Sequence, residues 1–483
     1  MTPTRRPWAL LAVSLASFMT LLDNNVTNVA LPAIQRDLHL TAAGLEWVVS
    51  SYVLAFAGLL LAGGRLADAF GRRRLFLAGL VVFTAASLAA GLAGDATVLI
   101  AARAVQGVGA AMITPTTLAI ISSMYRDPTE RTRAVGLWAA SGGVALAAGP
   151  LVGGILSEHA SWGWIFMLNV PIGVVVLALG LWAVPESRET VRGRLDLPGL
   201  GTAALALTAL TWGLIEGAGR GWTSAAVLGA FAVAAAAAGA FVLVEQRTAD
   251  PMVDLALFRS GTFSGGLAAL VLWAFGLFGI YFFTSLWLQD VLGFSPTVAG
   301  LAFLPMAALL VVGSVLSGRL AQRVGAGRLV GGAMVVMAAG IASLTVLDAD
   351  ATFLSVMPGF ALIGIGGGLV NQLTASVLGV LPHSRAGVAA GLLSTARQLG
   401  GLLGITLLGV VLTARQSAAL RGGAAPLDAF VSGYRIALVG SAALLVVGGL
   451  VAHLALRDTR APAAGDDGAD EAAEVVVESA PAV

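Results

Sequence analysis

The chain has 483 residues, 58% of them hydrophobic and only 11% charged, with a net charge of +1. So little charge cannot cover the surface of a soluble protein, and the near-neutral balance gives no electrostatic basis for a nucleic-acid partner. Cysteine is absent, which removes disulfides and thiol chemistry.

Taken in chain order, apolar runs recur from Trp8 to His453, each long enough to cross a bilayer of about 30 Å. The runs are continuous rather than alternating, so the spans are helices and not barrel strands. Arg5-Arg6-Pro7-Trp8 ahead of the first run has the flavour of a signal peptide. That run is too long and has no convincing cleavage site, which makes it the first spanning helix. Six spans are expected at about 8–31, 45–63, 75–94, 98–122, 134–157 and 164–183, giving a first six-helix bundle over residues 1–185. An Arg- and Glu-rich linker around Pro185–Asp196 leads to two further spans near 199–215 and 225–244, so 186–260 reads as a linker with two inserted helices. Spans at about 263–288, 298–317, 329–347, 352–376, 386–412 and 433–455 form a second six-helix bundle over 261–457. The remaining 458–483 is Ala/Gly/Pro-rich and acidic and lacks the apolar content to fold. The expected architecture is an all-α integral membrane protein of fourteen transmembrane helices, two pseudo-symmetric six-helix bundles plus two inserted helices.

Two further patterns support this division. The octapeptide Gly64-Arg65-Leu66-Ala67-Asp68-Ala69-Phe70-Gly71 returns as Gly318-Arg319-Leu320-Ala321-Gln322-Arg323-Val324-Gly325, the second copy following the tenth span instead of the eighth. Same-orientation repeats are how several transporter folds are built. With the N-terminus inside, most arginines fall on the inner side. The outer side receives only Arg36, Arg220, Arg415, Arg421 and Arg435. Positive residues prefer the cytoplasmic side, so both termini are expected there, in the cell's inner membrane.

Asp23 lies roughly 22 Å along the first span, near mid-membrane. An ionised carboxylate at that depth costs on the order of 3 kcal/mol, and an acid poised between charged and neutral suits a proton-coupled carrier. The alternative is a fixed ion pair that only braces helices. Asn24, Asn25, Thr27 and Asn28 surround it, pointing to a wet cavity or to interhelical hydrogen bonds. Arg103 in the fourth span lies at matching depth, with Gln106 one turn on. Arg stays charged and favours the ionised carboxylate until substrate or proton intervenes. Arg397 and Gln398 form a similar polar pair in the thirteenth span, with Asn371 and Gln372 of the twelfth as candidate partners.

The first loop copy places Asp68 beside Arg65 and Arg72, a charge cluster able to latch the inner side between Gly64 and Gly71. In the second copy Gln322 replaces the acid, so no symmetrical latch is expected. Gly149, Pro150, Gly153 and Gly154 in the fifth span permit close helix contact and a weak point in the helix. Trp47, Tyr52, Trp273 and Tyr281 can line a cavity for flat, apolar or cationic compounds, although most membrane aromatics serve packing. The four His are far apart without ligand spacing, and Gly364-Ile365-Gly366-Gly367-Gly368 lies in an apolar run, not after a strand. Neither a metal site, an enzyme centre nor a nucleotide loop is therefore expected, and the proton is the one coupling species implied.

Together these residues resemble the major facilitator superfamily, and within it the fourteen-span drug:proton antiporter family. Leu22-Asp23 through Asn28-Val29-Ala30-Leu31-Pro32 is similar to that family's first-helix signature. Gly64–Arg74 resembles its loop motif, and Arg103 with Gln106-Gly107 and Gly109 its fourth-helix motif. Gly149-Pro150 with Gly153-Gly154 resembles its antiporter motif. Asn25 stands where that signature has Thr, and Gly163 where the family has Arg between two Trp. The resemblance implies efflux of hydrophobic or cationic drugs in exchange for protons by a chain working as a monomer. Asp23 would be the acid, Arg103 its relay and Asp68 the gate. An exporter of one self-made metabolite, or a receptor or scaffold that keeps the fold without transport, are the other readings.

Overall fold

The computed structural model describes residues 5–457 apart from 126, 188–195, 249–250, 349 and 382. The acidic tail and the middle of the linker thus lie outside the described residues. Every element among the described residues is helical, and fourteen of the spans are long and apolar enough to cross a membrane. An even count brings both ends of the described chain to one side.

In the first half α1 (Arg6–Asp37), α2 (Ala42–Phe70), α3 (Arg72–Gly91), α4 (Ala96–Met124) and α5 (Pro128–His159) are continuous. The sixth span breaks into α6 (Trp164–Met167) and α7 (Asn169–Ala183). The inserted pair is α8 (Leu197–Arg220) and α9 (Ala225–Arg247). In the second half α10 (Gly261–Leu286) continues through a π turn at Trp287–Val291, followed by α11 (Pro296–Val324) and α12 (Ala326–Ser343). The twelfth span breaks into α13 (Phe353–Leu369) and α14 (Gln372–Gly379), and α15 (His383–Arg421) and α16 (Pro426–Ala455) complete the chain. Most helices run past the apolar runs because side-chain caps extend them into the interface. Thr41, Asp95, Asp127, Ser224 and Ser295 each accept a backbone N–H of the first turn they precede.

Packing follows the repeat. α4 lies between α2 and α3, α1 packs along α5, and α7 closes the group against α1 and α3. In the second half α13 lies between α11 and α12, α10 along α15, and α16 against α10 and α12. The inserted α8 leans on both α2 and α15, with α9 outside it.

The last glycine of each octapeptide shows why the motif repeats. Gly71 ends α2 at φ 105° and Gly325 ends α11 at φ 86°, a region that side-chain-bearing residues adopt only at a cost. The chain turns there within one residue into α3 or α12.

Candidate functional site

The polar centre of the first half is built from four helices. α1 supplies Asp23, α4 supplies Arg103 and Gln106 one turn apart, α3 supplies Ser87, and α7 begins with Asn169. Arg103 Nη1 donates to Asp23 Oδ2 at 2.5 Å and to Gln106 Oε1 at 3.0 Å. The amides of Gln106 and Asn169 donate to Asp23 Oδ1 at 3.0 and 2.8 Å, and both also reach Ser87 Oγ. Neither charged side chain retains any exposure. The carboxyl group thus accepts from three donors, one of them charged. Arg103 is fixed in turn by the Val48 carbonyl and by the Tyr52 ring, whose centroid is 4.4 Å from the guanidinium. One guanidinium nitrogen, Nη2, and the Asn169 carbonyl oxygen have no partner, so the network has spare capacity.

The neighbouring amides have other work. Asn25, Thr27 and Asn28 each donate to the carbonyl four residues back on α1. These three side chains therefore serve their own helix, while Asn24 beside them is half-buried. This bonding loosens the backbone of α1, and carbonyls one turn further along are read by the second half. Ser285 Oγ donates to the Asn28 carbonyl and Gln289 Nε2 to that of Val29, at 2.9 Å each.

The fifth-span motif lies at the same seam. Gly149 and Gly153 face Asn25 and Val26 so closely that a Cβ would overlap α1, while Gly154 meets Pro296 and Gly300 meets Pro150 across the halves. Glu158 accepts from the Thr297 amide at 2.9 Å. These contacts all lie in the half of the spans away from the chain ends, so the two halves are closed on that side.

Among the described residues the second half holds no comparable network. Arg397 is exposed in mid-span and makes no hydrogen bond or ion pair among the described residues. Its candidate partners are engaged elsewhere, Asn371 with Ser314 Oγ at 2.6 Å and Gln372 with Ser376 Oγ at 3.2 Å. Gln398 is buried. The four aromatics do not meet in one cavity. Tyr52 packs on Arg103, and Tyr281 packs edge-on against Phe303. Trp273 is buried beside Gly367. Trp47 instead borders an apolar cleft of about 660 Å³ between α2, α4 and α8, and donates to Glu216 of α8 at 3.2 Å. Their separation follows from helix rotation, which spacing along one helix does not reveal.

At the end of the spans nearer the chain ends, Asp68 accepts from Arg72 at 2.9 and 3.1 Å, within one half. Glu186, just past α7, receives the Arg73 amide at 3.2 Å and pairs with Arg74 at 3.7 Å. Arg65 reaches the Pro251 carbonyl ahead of the second half. The cluster therefore ties α2 and α3 to the ends of α7 and α9, with Arg65 and not Asp68 reaching across.

Asn169 and Ser87 escaped the sequence reading. An amide within an otherwise apolar run was the available signal for Asn169; Ser87 gave none.

A family model for the Major Facilitator Superfamily matches residues 13–405. The puromycin resistance protein pur8 of Streptomyces alboniger is 38% identical over 475 residues, covering 96% of this chain and 94% of the relative. The cephamycin export protein CmcT of Amycolatopsis lactamdurans is 42% identical, covering 83% of this chain and 84% of its own. The tetracenomycin C resistance and export protein of Streptomyces glaucescens is 36% identical over 85% of this chain and 77% of its own. Among solved structures, the POT family transporter PepTSo superposes with a TM-score of 0.70 at 14% identity, covering 95% of this chain and 99% of that one. An inward-facing bacterial homologue of the human lysosomal transporter Spinster gives 0.67 at 22%, covering 96% and 100%.

Proposed function

The chain belongs to the Major Facilitator Superfamily, and from that premise we propose that it exports antibiotics and similar hydrophobic compounds across the cytoplasmic membrane in exchange for protons. Both termini face the cytoplasm, the working unit is the monomer, and the proton is the sole coupling species. The observation that carries the reading is the sealed Asp23–Arg103–Gln106–Asn169 cluster, set beside the α1 turn that the second half grips.

The two halves rock about a midplane site. With the outer seam shut, cargo enters from the inner side. Protonation of Asp23 removes the charge that Arg103 answers, leaving the guanidinium uncompensated among apolar rings. That cost destabilises the closed cluster and links proton uptake to the reorientation of α1. A potential of 100 mV supplies about 2.3 kcal/mol per charge moved, enough to sustain a concentration ratio of roughly 50-fold per proton.

The deciding experiment loads cells with a fluorescent substrate dye and follows its loss. Asp23→Asn is expected to abolish energised efflux while the protein still reaches the membrane; undiminished efflux would remove Asp23 from coupling. A narrower reading, export of one endogenous metabolite, is favoured by relatives named for single compounds, puromycin, cephamycin and tetracenomycin C. A susceptibility panel in an efflux-deficient host separates the two: resistance to one compound alone favours the narrow reading.

A further inference from the structure

Besides Asp23, three acids are buried among the described residues: Asp196, Glu245 and Glu46. Glu46 lies in the second turn of α2 at its outer end, with 6% of its surface exposed. Asp23 has three donors, one of them its counter-ion Arg103; Glu46 has no hydrogen bond and no ion pair among the described residues. Its carboxyl rests on the backbone of α15 at Gly409, where a Cβ would collide with it. Ser50, four residues on and thus on the same face of α2, is fully buried, and its hydroxyl also has no partner. Two unpartnered polar groups therefore line one stretch of the seam between α2 and α15, which must part when the outer side opens.

From this geometry we infer that Glu46 is a second proton-binding site, occupied when the outer α2–α15 seam is shut and vacated when the seam opens. The inference rests on the alternating-access reading above. An ionised Glu46 in the closed seam would have neither donor nor counter-ion, a state proteins avoid. The neutral acid fits, and its O–H is within one helical turn of Ser50. On the helices around α2, Arg397 of α15 is uncommitted but lies twelve residues, about 18 Å, from Gly409 along that helix, and the charged groups nearer Glu46 engage other partners. On α15, Arg415 engages Ser432. On α8, Glu216 is held by Arg220 and Trp47. On α4, Arg103 holds Asp23, and Asp95 caps the helix. On α1, Asp37 accepts from Trp162. Once α15 moves off, Glu46 meets water and ionises, and the charge then opposes reclosure until a proton returns from the outer medium.

The sign follows from linkage. The closed seam binds the proton more tightly, so closure is favoured at low pH and lost as pH rises. The open-to-closed ratio changes by up to about tenfold per pH unit for one proton. External acidity thus resets the outer gate, a role separate from the charge carried by Asp23.

The chain has no cysteine, so Ala42→Cys and Ala418→Cys, both exposed, provide unique sites for spin labels at the outer ends of α2 and α15. Distances are measured by pulsed electron resonance in nanodiscs from pH 5 to pH 9, without cargo. The unsubstituted background should shift from short to long distances as pH rises. Glu46→Gln should stay short throughout, and Gly409→Ala, which displaces the carboxyl, should populate long distances even at pH 5. Asp23→Asn should keep the pH response. An unchanged response in Glu46→Gln, or none in the background, overturns the proposal. Because no transport is read, failure of dye export in the earlier experiment and failure here are distinguishable.

Discussion

The two halves share an ancestor's backbone but not its charges. Where the backbone needs glycine, both halves keep it. Gly71 and Gly325 turn at positive φ, Gly149 and Gly153 press on α1, and Gly400 and Gly404 press on α10 at Val271 and Phe275. Where the side chain does the chemistry, they diverge. The first half encloses Asp23, Arg103, Gln106 and Asn169, and the second offers Arg397 alone. Steric demands are set by the backbone and repeat with it, whereas a polar cluster depends on side chains that the fold leaves free to differ.

The largest test of this contrast is to remove one cation from each half. Arg103→Ala leaves Asp23 buried without its counter-ion, a defect worth about 3–5 kcal/mol. Arg397→Ala removes a side chain without partners, and its cost should stay below about 1 kcal/mol. Thermal melts of both variants in one detergent should show a large fall in apparent Tm for the first and a small one for the second. Equal falls would mean that Arg397 has a structural partner and that the halves are more alike than they look.

A smaller effect should be symmetrical. Gly153→Val and Gly404→Val each force a branched side chain into a helix contact that has no room for a Cβ. Overpacking of this kind costs about 1–3 kcal/mol. Both variants should lose similar stability, yet only Gly153→Val should also disturb the seam near Val26 and Gly154. The expected signature is matched melting temperatures with unequal efflux. Matched efflux as well would place the fifth-span motif in packing alone.

What the sequence disclosed follows the same division. Fourteen spans were legible because an apolar run in lipid has no alternative to a helix. The pairing of Asp23 with Arg103 was legible because depth along a helix scales with residue number. Helix rotation and breaks were not. Asn169 reaches Asp23 only because the sixth span breaks at Leu168 and begins a new helix at the amide. Tyr52 and Trp47 share α2, but one faces Arg103 and the other faces α8. Glu46 passed unnoticed because an acid near a span end reads as interfacial until α15 is seen lying over it.

The smallest effect concerns the two octapeptides. Asp68 and Arg72 are partly exposed and flank the turn at Gly71, and an ion pair of this kind contributes about a few tenths of a kcal/mol to stability. Asp68→Asn should therefore leave the melting temperature almost unchanged. The second copy shows why charge alone does not make a latch. Gln322→Asp would restore the acid, but the residue four positions on is Ala326, not an arginine. Only the double variant Gln322→Asp with Ala326→Arg rebuilds the pair, and it should raise stability by the same few tenths. If Asp68→Asn slows export severalfold while its melt is unmoved, the pair acts in the cycle and not in the fold. The rebuilt second copy should then slow export too, by adding an attachment at the inner end of α11 that the natural chain lacks. Should both variants transport normally, the octapeptide works through its terminal glycine, and Asp68 merely orients Arg72 at the membrane surface.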